Sequence, residues 1–295
     1  MGGMDYQKVD LSHPYLEHFK DYPDWLDPPA FLYARGELPR SRPRPKTAAI
    51  VGARRCTKYG ENIAYNFAYQ LAKRGVVIVS GLAYGIDTCA HRGCLDAGGV
   101  TIAVLGTPID QVYPRSNLGL AEYILERGAI VSESAPATPI FRESFLYRNR
   151  IVAGLADIIL IVEASIHSGT NYTAERAVDQ GKSVYVVPGD ISRPMSAGCH
   201  ELIKNGCLIC TDLDDLLIGL HLKAETTSAR AKNLEKYRNC TPEQRKIIAC
   251  VKAGIDTPDE MAKYLEWGLI AVNNALTFLE IGQLIQRDGS RFILV

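Results

Sequence analysis

Six short apolar runs, separated by segments of helical length, constrain the fold of this chain more than any other feature. The runs are AAIVGA (48–53), VVIVSG (76–81), VTIAVLG (100–106), AIVSE (129–133), DIILIVEA (157–164) and SVYVVPG (183–189). Near-continuous apolar runs of this length are typical of parallel strands that are buried on both faces. The segments 60–74, 85–97, 116–127 and 171–180 have the length of crossover helices. The alternation therefore predicts an α/β fold, in which helices cover both faces of a parallel sheet.

The segments before and after this alternation have a different composition. Residues 1–46 are rich in proline and predict an N-terminal arm with a short helical or extended segment. The sheet domain is expected over 47–220. A polar, charged connection over 221–238 then predicts a linker.

The last segment, 239–295, has its own pattern of elements. Two capped helix starts, TPEQ and TPDE, are followed by a third helical stretch and by a hairpin with Asp288-Gly289 at its turn. This order predicts a small winged-helix-like domain. A small oligomerisation or lid module has the same outline and stays an alternative.

The charge and the cysteine content limit the possible classes of protein. The 33 basic and 33 acidic residues give a formal net charge of zero, so any surface for nucleic acid must be local. Eight cysteines without a secretory leader favour reduced thiols and a cytoplasmic location. No run approaches the ~20 apolar residues that cross a bilayer, so no contact with a membrane is expected.

The loops after the strands are the candidate site, because open parallel sheets bind ligands beyond the carboxyl ends of their strands. The first loop has Gly52 followed by Ala53-Arg54-Arg55, and it lacks the second glycine of a dinucleotide-binding turn. It offers main-chain N–H groups, the positive end of a following helix and guanidinium groups, all suited to phosphate oxygens. We expect Arg54, rather than Arg55 or Lys58, to hold a phosphate.

Further loops support a phosphate-rich ligand. Small residues follow the second strand, Ser168-Gly169-Thr170 opens a helix, and Gly189 ends the sixth strand. In FRESFLYRNR (141–150) aromatic rings alternate with cations, a combination that stacks the splayed bases of single strands while holding their phosphates. The alternative is that the phenylalanines belong to the core and that Arg148 and Arg150 pair with acids.

The same residues carry a family resemblance. IVGAR, SGLAYGIDTCAH (80–91), GGVTIAVLGT (98–107), Tyr113-Pro114, FLYRNRIVAGL (145–155), VVPG (186–189) and ELIKNGC (201–207) follow one another in order. Over roughly residues 22–217 the chain resembles the DNA-processing protein A family, also called DprA or Smf.

The resemblance implies an extended Rossmann-like domain that binds single-stranded DNA, protects incoming DNA during natural transformation and helps to load the RecA recombinase. It also implies a homodimer, no enzymatic activity and no cofactor, and it favours the winged-helix-like domain. Arg54 then corresponds to a DNA-contacting arginine, and Arg148, Asn149 and Arg150 fall on the family's RNR motif. The predicted DNA-contacting residues are Gly52, Arg54, Ser80, Gly81, Ala83, Phe145, Arg148, Asn149, Arg150, Ser168, Gly169, Thr170 and Gly189.

Two enzymatic readings remain as alternatives. Asp87, His91 and Glu163 can form an acid/base set, although a capping aspartate and a loop-ordering histidine explain the first two as well. A nucleotide-acting hydrolase, like the nucleoside-monophosphate phosphoribohydrolases, needs a glutamate three residues after a glycine-threonine pair, where this chain has Thr173. The pair Cys207 and Cys210 has no second pair at zinc-binding spacing, so no metal is expected.

Overall fold

A computed structural model of the protein describes residues 5–166, 168–223, 240–282 and 284–294. The chain forms two compact units, Met1–Ala224 and Glu225–Val295. Most of the predicted linker, 224–238, lies outside the described residues.

The first unit is built on a nine-stranded sheet. Its strands are β1 (Gln7–Asp10), β2 (Phe31–Gly36), β3 (Thr47–Gly52), β4 (Val77–Ser80), β5 (Thr101–Val104), β6 (Ala129–Ser132), β7 (Ile158–Val162), β8 (Ser183–Val186) and β9 (Leu208–Ile209). Their order in the sheet is β1-β2-β6-β5-β4-β3-β7-β8-β9. All pairs from β6 to β9 are parallel, and β1 and β2 are antiparallel additions at one edge. The predicted α/β fold with its six parallel strands is therefore confirmed, and the short β9 adds a seventh parallel strand.

Helices cover both faces of this sheet, as the alternation predicts. They are α1 (Lys58–Lys73), α2 (Ile86–Asp96), α3 (Leu118–Leu125), α4 (Arg142–Tyr147), α5 (Asn149–Leu155), α6 (Gly169–Asp179), α7 (Pro194–Lys204) and α8 (Leu213–Gly219). Successive side chains of a strand point to opposite faces. Thus Ala48 and Ile50 of β3 belong to the core with α1 and α2, whereas Ala49 and Val51 belong to the core with α5 and α6. Because both faces are covered, the strands are apolar throughout.

The N-terminal segment is not a separate arm, because its strands extend the sheet. Strand β2 pairs with β6, and β1 pairs with β2. Between these strands, Tyr15 is fully buried and its hydroxyl lies 3.0 Å from Thr47 Oγ1 of β3. Phe19 is 1% exposed and packs against Gly154 of α5 so closely that a Cβ at Gly154 would collide with its ring. The boundary predicted at residue 46 therefore falls inside one packed unit.

The second unit contains α9 (Pro242–Lys252), α10 (Pro258–Leu265), α11 (Leu269–Ile281) and a hairpin of β10 (Ile285–Asp288) and β11 (Arg291–Leu294). Thr241 caps α9, and its capping box with Gln244 agrees with the predicted helix start. The register pairs Asp288 with Arg291, so the turn is formed by Gly289 and Ser290 rather than by Asp288-Gly289. The order of elements agrees with the sequence pattern, and the winged-helix assignment stays a prediction. Within the described ranges, no helix is long and apolar enough to cross a membrane.

We predict that Phe19→Ala lowers the free energy of unfolding of the first unit by about 3–5 kcal/mol, because it removes a buried ring and leaves a cavity against α5. Urea denaturation followed by circular dichroism measures the loss. The control is Trp25→Ala in the same segment, whose side chain is 67% exposed and whose removal costs less than about 1 kcal/mol. A loss for Phe19→Ala as small as the one expected for Trp25→Ala would show that Phe19 does not contribute to the core.

Candidate nucleic-acid-binding site

A cavity of about 500 Å³ lies at the carboxyl-end edge of the sheet. The loops that follow β3, β4 and β7 form its walls together with α4 and the start of α5. The predicted site residues that line it are Gly52, Arg54, Gly81, Ala83, Phe145, Arg148, Asn149, Ser168, Gly169 and Thr170. The sheet topology brings them together, because the parallel strands β3, β4 and β7 are adjacent and end on one side.

Three exposed arginines give the cavity its positive charge. Arg54, Arg55 and Arg142 all line it and are all exposed. Among the described residues, none of the three has a carboxylate oxygen within 4.0 Å. The guanidinium carbon of Arg54 lies 5.9 Å from the ring centroid of Phe145, which is half-buried. The site therefore presents unpaired cations beside an aromatic ring.

Arg148 lines the same cavity but has a different environment. It is 7% exposed, and its Nη1 donates to the carbonyl oxygens of Gly81, at 2.8 Å, and Val104. Its Nε donates to Asn149 Oδ1 at 3.1 Å. Burial lowers the pKa of Arg148 to about 10, which still leaves the guanidinium charged at neutral pH. Arg148 ties the ends of β4 and β5 together and adds a fixed positive charge at the cavity wall.

Three predicted residues are not brought to the cavity. Arg150 is 4% exposed and does not line the cavity, and its Nη2 donates to both carboxylate oxygens of Glu133, at 2.7 and 2.8 Å. The guanidinium of Arg150 also lies 4.1 Å from the ring centroid of Tyr147. Ser80 is fully buried and its hydroxyl donates to Ile50 O at 2.7 Å.

Gly189, the third of these residues, packs against helix α7. Its carbonyl oxygen lies 3.0 Å from His200 Nε2, and a Cβ at this position would collide with Ser196. Arg150 therefore follows the alternative raised from the sequence, in which it pairs with an acidic residue.

The positive end of α1, which the sequence suggested for a phosphate, is occupied by Glu163. The carboxylate of Glu163 accepts hydrogen bonds from Thr57 N at 2.7 Å and Thr57 Oγ1 at 2.5 Å. Its carbonyl oxygen accepts a hydrogen bond from Ala53 N at 2.8 Å. Glu163 thus holds both ends of the loop that carries Arg54 and Arg55, and a negative charge already stabilises the N-terminus of α1.

The acid/base set considered for Asp87, His91 and Glu163 is not assembled. The carboxylate of Asp87 accepts hydrogen bonds from the main-chain N–H groups of Gly81 and Ala83, at 3.1 and 3.3 Å. His91 is fully buried, its Nδ1 lies 2.7 Å from Thr101 Oγ1, and burial lowers its pKa to about 3. Each of the three side chains therefore has a separate structural partner.

Helix α6 begins at the cavity wall. Ser168 is its N-cap and accepts a hydrogen bond from Thr170 N at 3.1 Å, and the two hydroxyl oxygens are 2.8 Å apart. Thr173, one turn further, lines the cavity and its hydroxyl donates to Gly169 O at 3.4 Å. Since the start of a helix attracts anions, α6 adds to the positive potential of the site.

Sequence reasoning missed Arg55 and Arg142 as site residues. The sequence pattern favours Arg54 over Arg55, but adjacent residues of an irregular loop can both face a cavity, and both arginines line this one. Arg142 belongs to the aromatic and cationic stretch that was recognised. The available signal was the spacing of Arg142 and Phe145, because residues three apart in a helical stretch lie on one face.

Comparison with known proteins shows the family of the chain. The family model of DNA recombination-mediator protein A matches residues 13–221. The chain is 40% identical to the DNA processing protein DprA of Streptococcus pneumoniae over 197 residues, which is 67% of this chain and 69% of that protein. The chain belongs to the DNA-processing protein A family.

Two solved DprA structures have the same fold. The protein from Streptococcus pneumoniae superposes with a TM-score of 0.63 at 36% identity, over 72% of this chain and 74% of that one. The protein from Helicobacter pylori, whose structure describes a single-stranded DNA binding mode, superposes with a TM-score of 0.62 at 29% identity, over 74% of this chain and 97% of that one. The chain spans about half the length of the curated relatives from Mycobacterium tuberculosis and Escherichia coli, 49% and 53% respectively.

We predict that Arg148→Met lowers the free energy of unfolding of this DprA family member by about 3 kcal/mol, since it leaves the carbonyl oxygens of Gly81 and Val104 without their charged donor. Urea denaturation measures the loss. Arg54→Met makes the same chemical change at an exposed position, so it is expected to cost less than about 0.5 kcal/mol. A loss of that small size in Arg148→Met would mean that the buried guanidinium has no structural role.

Proposed function

We propose that the protein binds single-stranded DNA in this cavity. The observation that supports the proposal most directly is a set of three exposed arginines in one cavity, none with an acidic partner among the described residues, of which Arg54 lies beside the half-buried ring of Phe145. Unpaired cations bind phosphates, and an accessible aromatic ring stacks bases. The two features serve one ligand only when the bases are free to leave a duplex.

Each part of the site has a proposed role. Arg54 and Arg55 bind phosphate oxygens from a loop that Glu163 holds at both ends. The start of α6 and Arg142 bind the neighbouring phosphates, and Phe145 stacks a base. Arg148 supports the electrostatic potential from the cavity wall, where its own hydrogen bonds to carbonyl oxygens keep it in place. The single-stranded DNA binding mode described for the Helicobacter pylori relative supports this assignment.

DNA binding without hydrolysis fits the cavity better than action on nucleotides. Thr173 stands at the position where a phosphoribohydrolase has its catalytic glutamate, and Asp87 is the one carboxylate among the described lining residues. Asp87 is buried and accepts hydrogen bonds from two main-chain N–H groups, so it is engaged in holding the loop after β4. We therefore propose a binding protein rather than an enzyme.

Membership in the family supports a proposal about the wider role. We propose that the protein acts in the cytoplasm as a homodimer, that it protects incoming single-stranded DNA during transformation and recombination, and that it helps RecA to load. If so, adding the protein to DNA coated with a single-strand binding protein shortens the lag of RecA-dependent ATP hydrolysis. An unchanged lag at saturating protein would contradict the RecA role and leave DNA binding unaffected.

We predict that Arg54→Ala lowers the affinity for oligothymidylate about tenfold at about 0.1 M salt, because it removes one charged hydrogen bond to a phosphate. The slope of log affinity against log salt should fall by about 0.7 for each phosphate contact that is lost. Fluorescence anisotropy with labelled oligothymidylate at several salt concentrations measures both quantities. The matched control is Arg127→Ala, an exposed arginine just before β6 at the opposite edge of the sheet, which should change neither.

Other outcomes of this experiment separate the alternatives. Equal affinities and slopes for the Arg54→Ala, Arg127→Ala and unsubstituted proteins would remove Arg54 from the site. Weak binding of the unsubstituted protein that does not respond to salt would contradict single-strand binding altogether. Release of free adenine from AMP by the same preparation would support the hydrolase alternative.

A further inference from the structure

The loop that follows β5 places an exposed ring next to the cavity without lining it. Tyr113 is 53% exposed, and its ring centroid lies 5.4 Å from that of Phe145, with the two planes inclined by 55°. On the cavity side of the same Phe145 ring lies Arg54. Phe145 is therefore in contact range of both a cavity-lining cation and an exposed ring of the β5 loop.

The main chain of the β5 loop packs directly against Phe145. A Cβ at Gly106, in the same loop as Tyr113, would lie 2.8 Å from Phe145 Cδ1 and 2.9 Å from its Cα, so this glycine allows Phe145 to pack directly on the loop. Phe145 thereby fixes the distance between the cavity and Tyr113. A ring that is already held in place loses little conformational entropy when a base stacks on it.

The loop itself is also anchored. Asn117 is 5% exposed, and its amide nitrogen donates to Leu82 O at 2.9 Å and to Thr88 Oγ1 at 3.0 Å. Ile109 is fully buried, and its N–H donates to Ser134 O at 3.2 Å. An exposed tyrosine on a loop held at both ends has no evident structural task of its own.

A cation follows the ring in sequence. Arg115 is exposed, and within the part of the chain that the structure describes it has no carboxylate oxygen within 4.0 Å. The β5 loop thus carries an exposed ring and an exposed cation two residues apart in sequence. Arg54 stands beside Phe145, and Arg115 follows Tyr113 after one residue.

We propose that Tyr113 and Arg115 form a second nucleotide-binding position outside the cavity, where Tyr113 stacks the base of a nucleotide next to the one on Phe145 and Arg115 binds its phosphate. The inference rests on the proposed single-strand binding. It assigns a DNA contact to the β5 loop, which does not line the cavity. A strand then runs from the cavity across Phe145 onto Tyr113, so affinity depends on whether an oligonucleotide is long enough to cover both rings.

The experiment compares Tyr113→Ala, Tyr113→Phe and Arg54→Ala with oligothymidylates of about 4 to about 16 nucleotides, the range of site sizes of single-strand binding folds. Tyr113→Ala should weaken the binding of long oligonucleotides about tenfold and that of the shortest ones little, whereas Tyr113→Phe keeps the ring and the affinity. Arg54→Ala should weaken binding at every length. The control is Tyr123→Ala on α3, a 38% exposed ring near the opposite edge of the sheet, which should have no effect.

Three results would each contradict either the second nucleotide-binding position or the proposed function. Unchanged binding of long oligonucleotides by Tyr113→Ala, with Arg54→Ala impaired, overturns the second position and leaves the proposed function intact. An equal loss for Tyr113→Ala at every length overturns it too, because the tyrosine then acts only by supporting Phe145. Failure of the unsubstituted protein to bind any oligonucleotide overturns the proposed function itself.

Discussion

The hydrogen bonds of the Arg148 guanidinium to the carbonyl oxygens of Gly81 and Val104 are the interaction on which the site depends. They join the ends of two neighbouring parallel strands, β4 and β5. A charged donor in this place satisfies both oxygens and leaves a positive potential on the cavity side. The loops after β4 and β5 can then differ in shape while their starting points stay fixed. One loop brings Gly81 and Ala83 to the cavity, and the other carries Tyr113.

Two buried carboxylates, Glu163 and Asp87, also accept hydrogen bonds from the loops that surround the cavity. They therefore determine which positive groups stay available to a ligand. Glu163 neutralises the N-terminus of α1, and Asp87 accepts hydrogen bonds from main-chain N–H groups of the loop after β4. A Rossmann-like sheet commonly offers such groups to a ligand phosphate. Here they are already satisfied, so side chains must supply most of the attraction for an anion. The exposed arginines and the start of α6 provide it, which explains how a chain with zero formal net charge presents a local cationic surface.

The sequence predicts the sheet well and the side-chain roles less well. Strands buried on both faces leave an unmistakable apolar run, as DIILIVEA does for β7. The sequence does not predict strand β2 clearly, because β2 lies among prolines and its apolar and polar residues alternate only over FLYARG. The three arginines 54, 148 and 150 look equivalent in sequence, yet one is exposed, one bonds to carbonyl oxygens and one pairs with Glu133. Their roles depend on partners from distant segments, and residue spacing contains no record of those partners.

The second unit differs from the first in the charge of the helix that a DNA-binding role would require. Helix α11 is the third helix of the second unit and would be the recognition helix of a winged-helix domain. Its sequence, LIAVNNALTFLEI, contains no lysine or arginine, and it exposes Ile270, Phe278 and Ile281. A helix of this composition cannot neutralise phosphates, which supply most of the affinity of sequence-independent DNA binding. The composition of α11 therefore gives no support to a DNA-binding role for this helix, and the proposed single-strand site rests on the first unit alone.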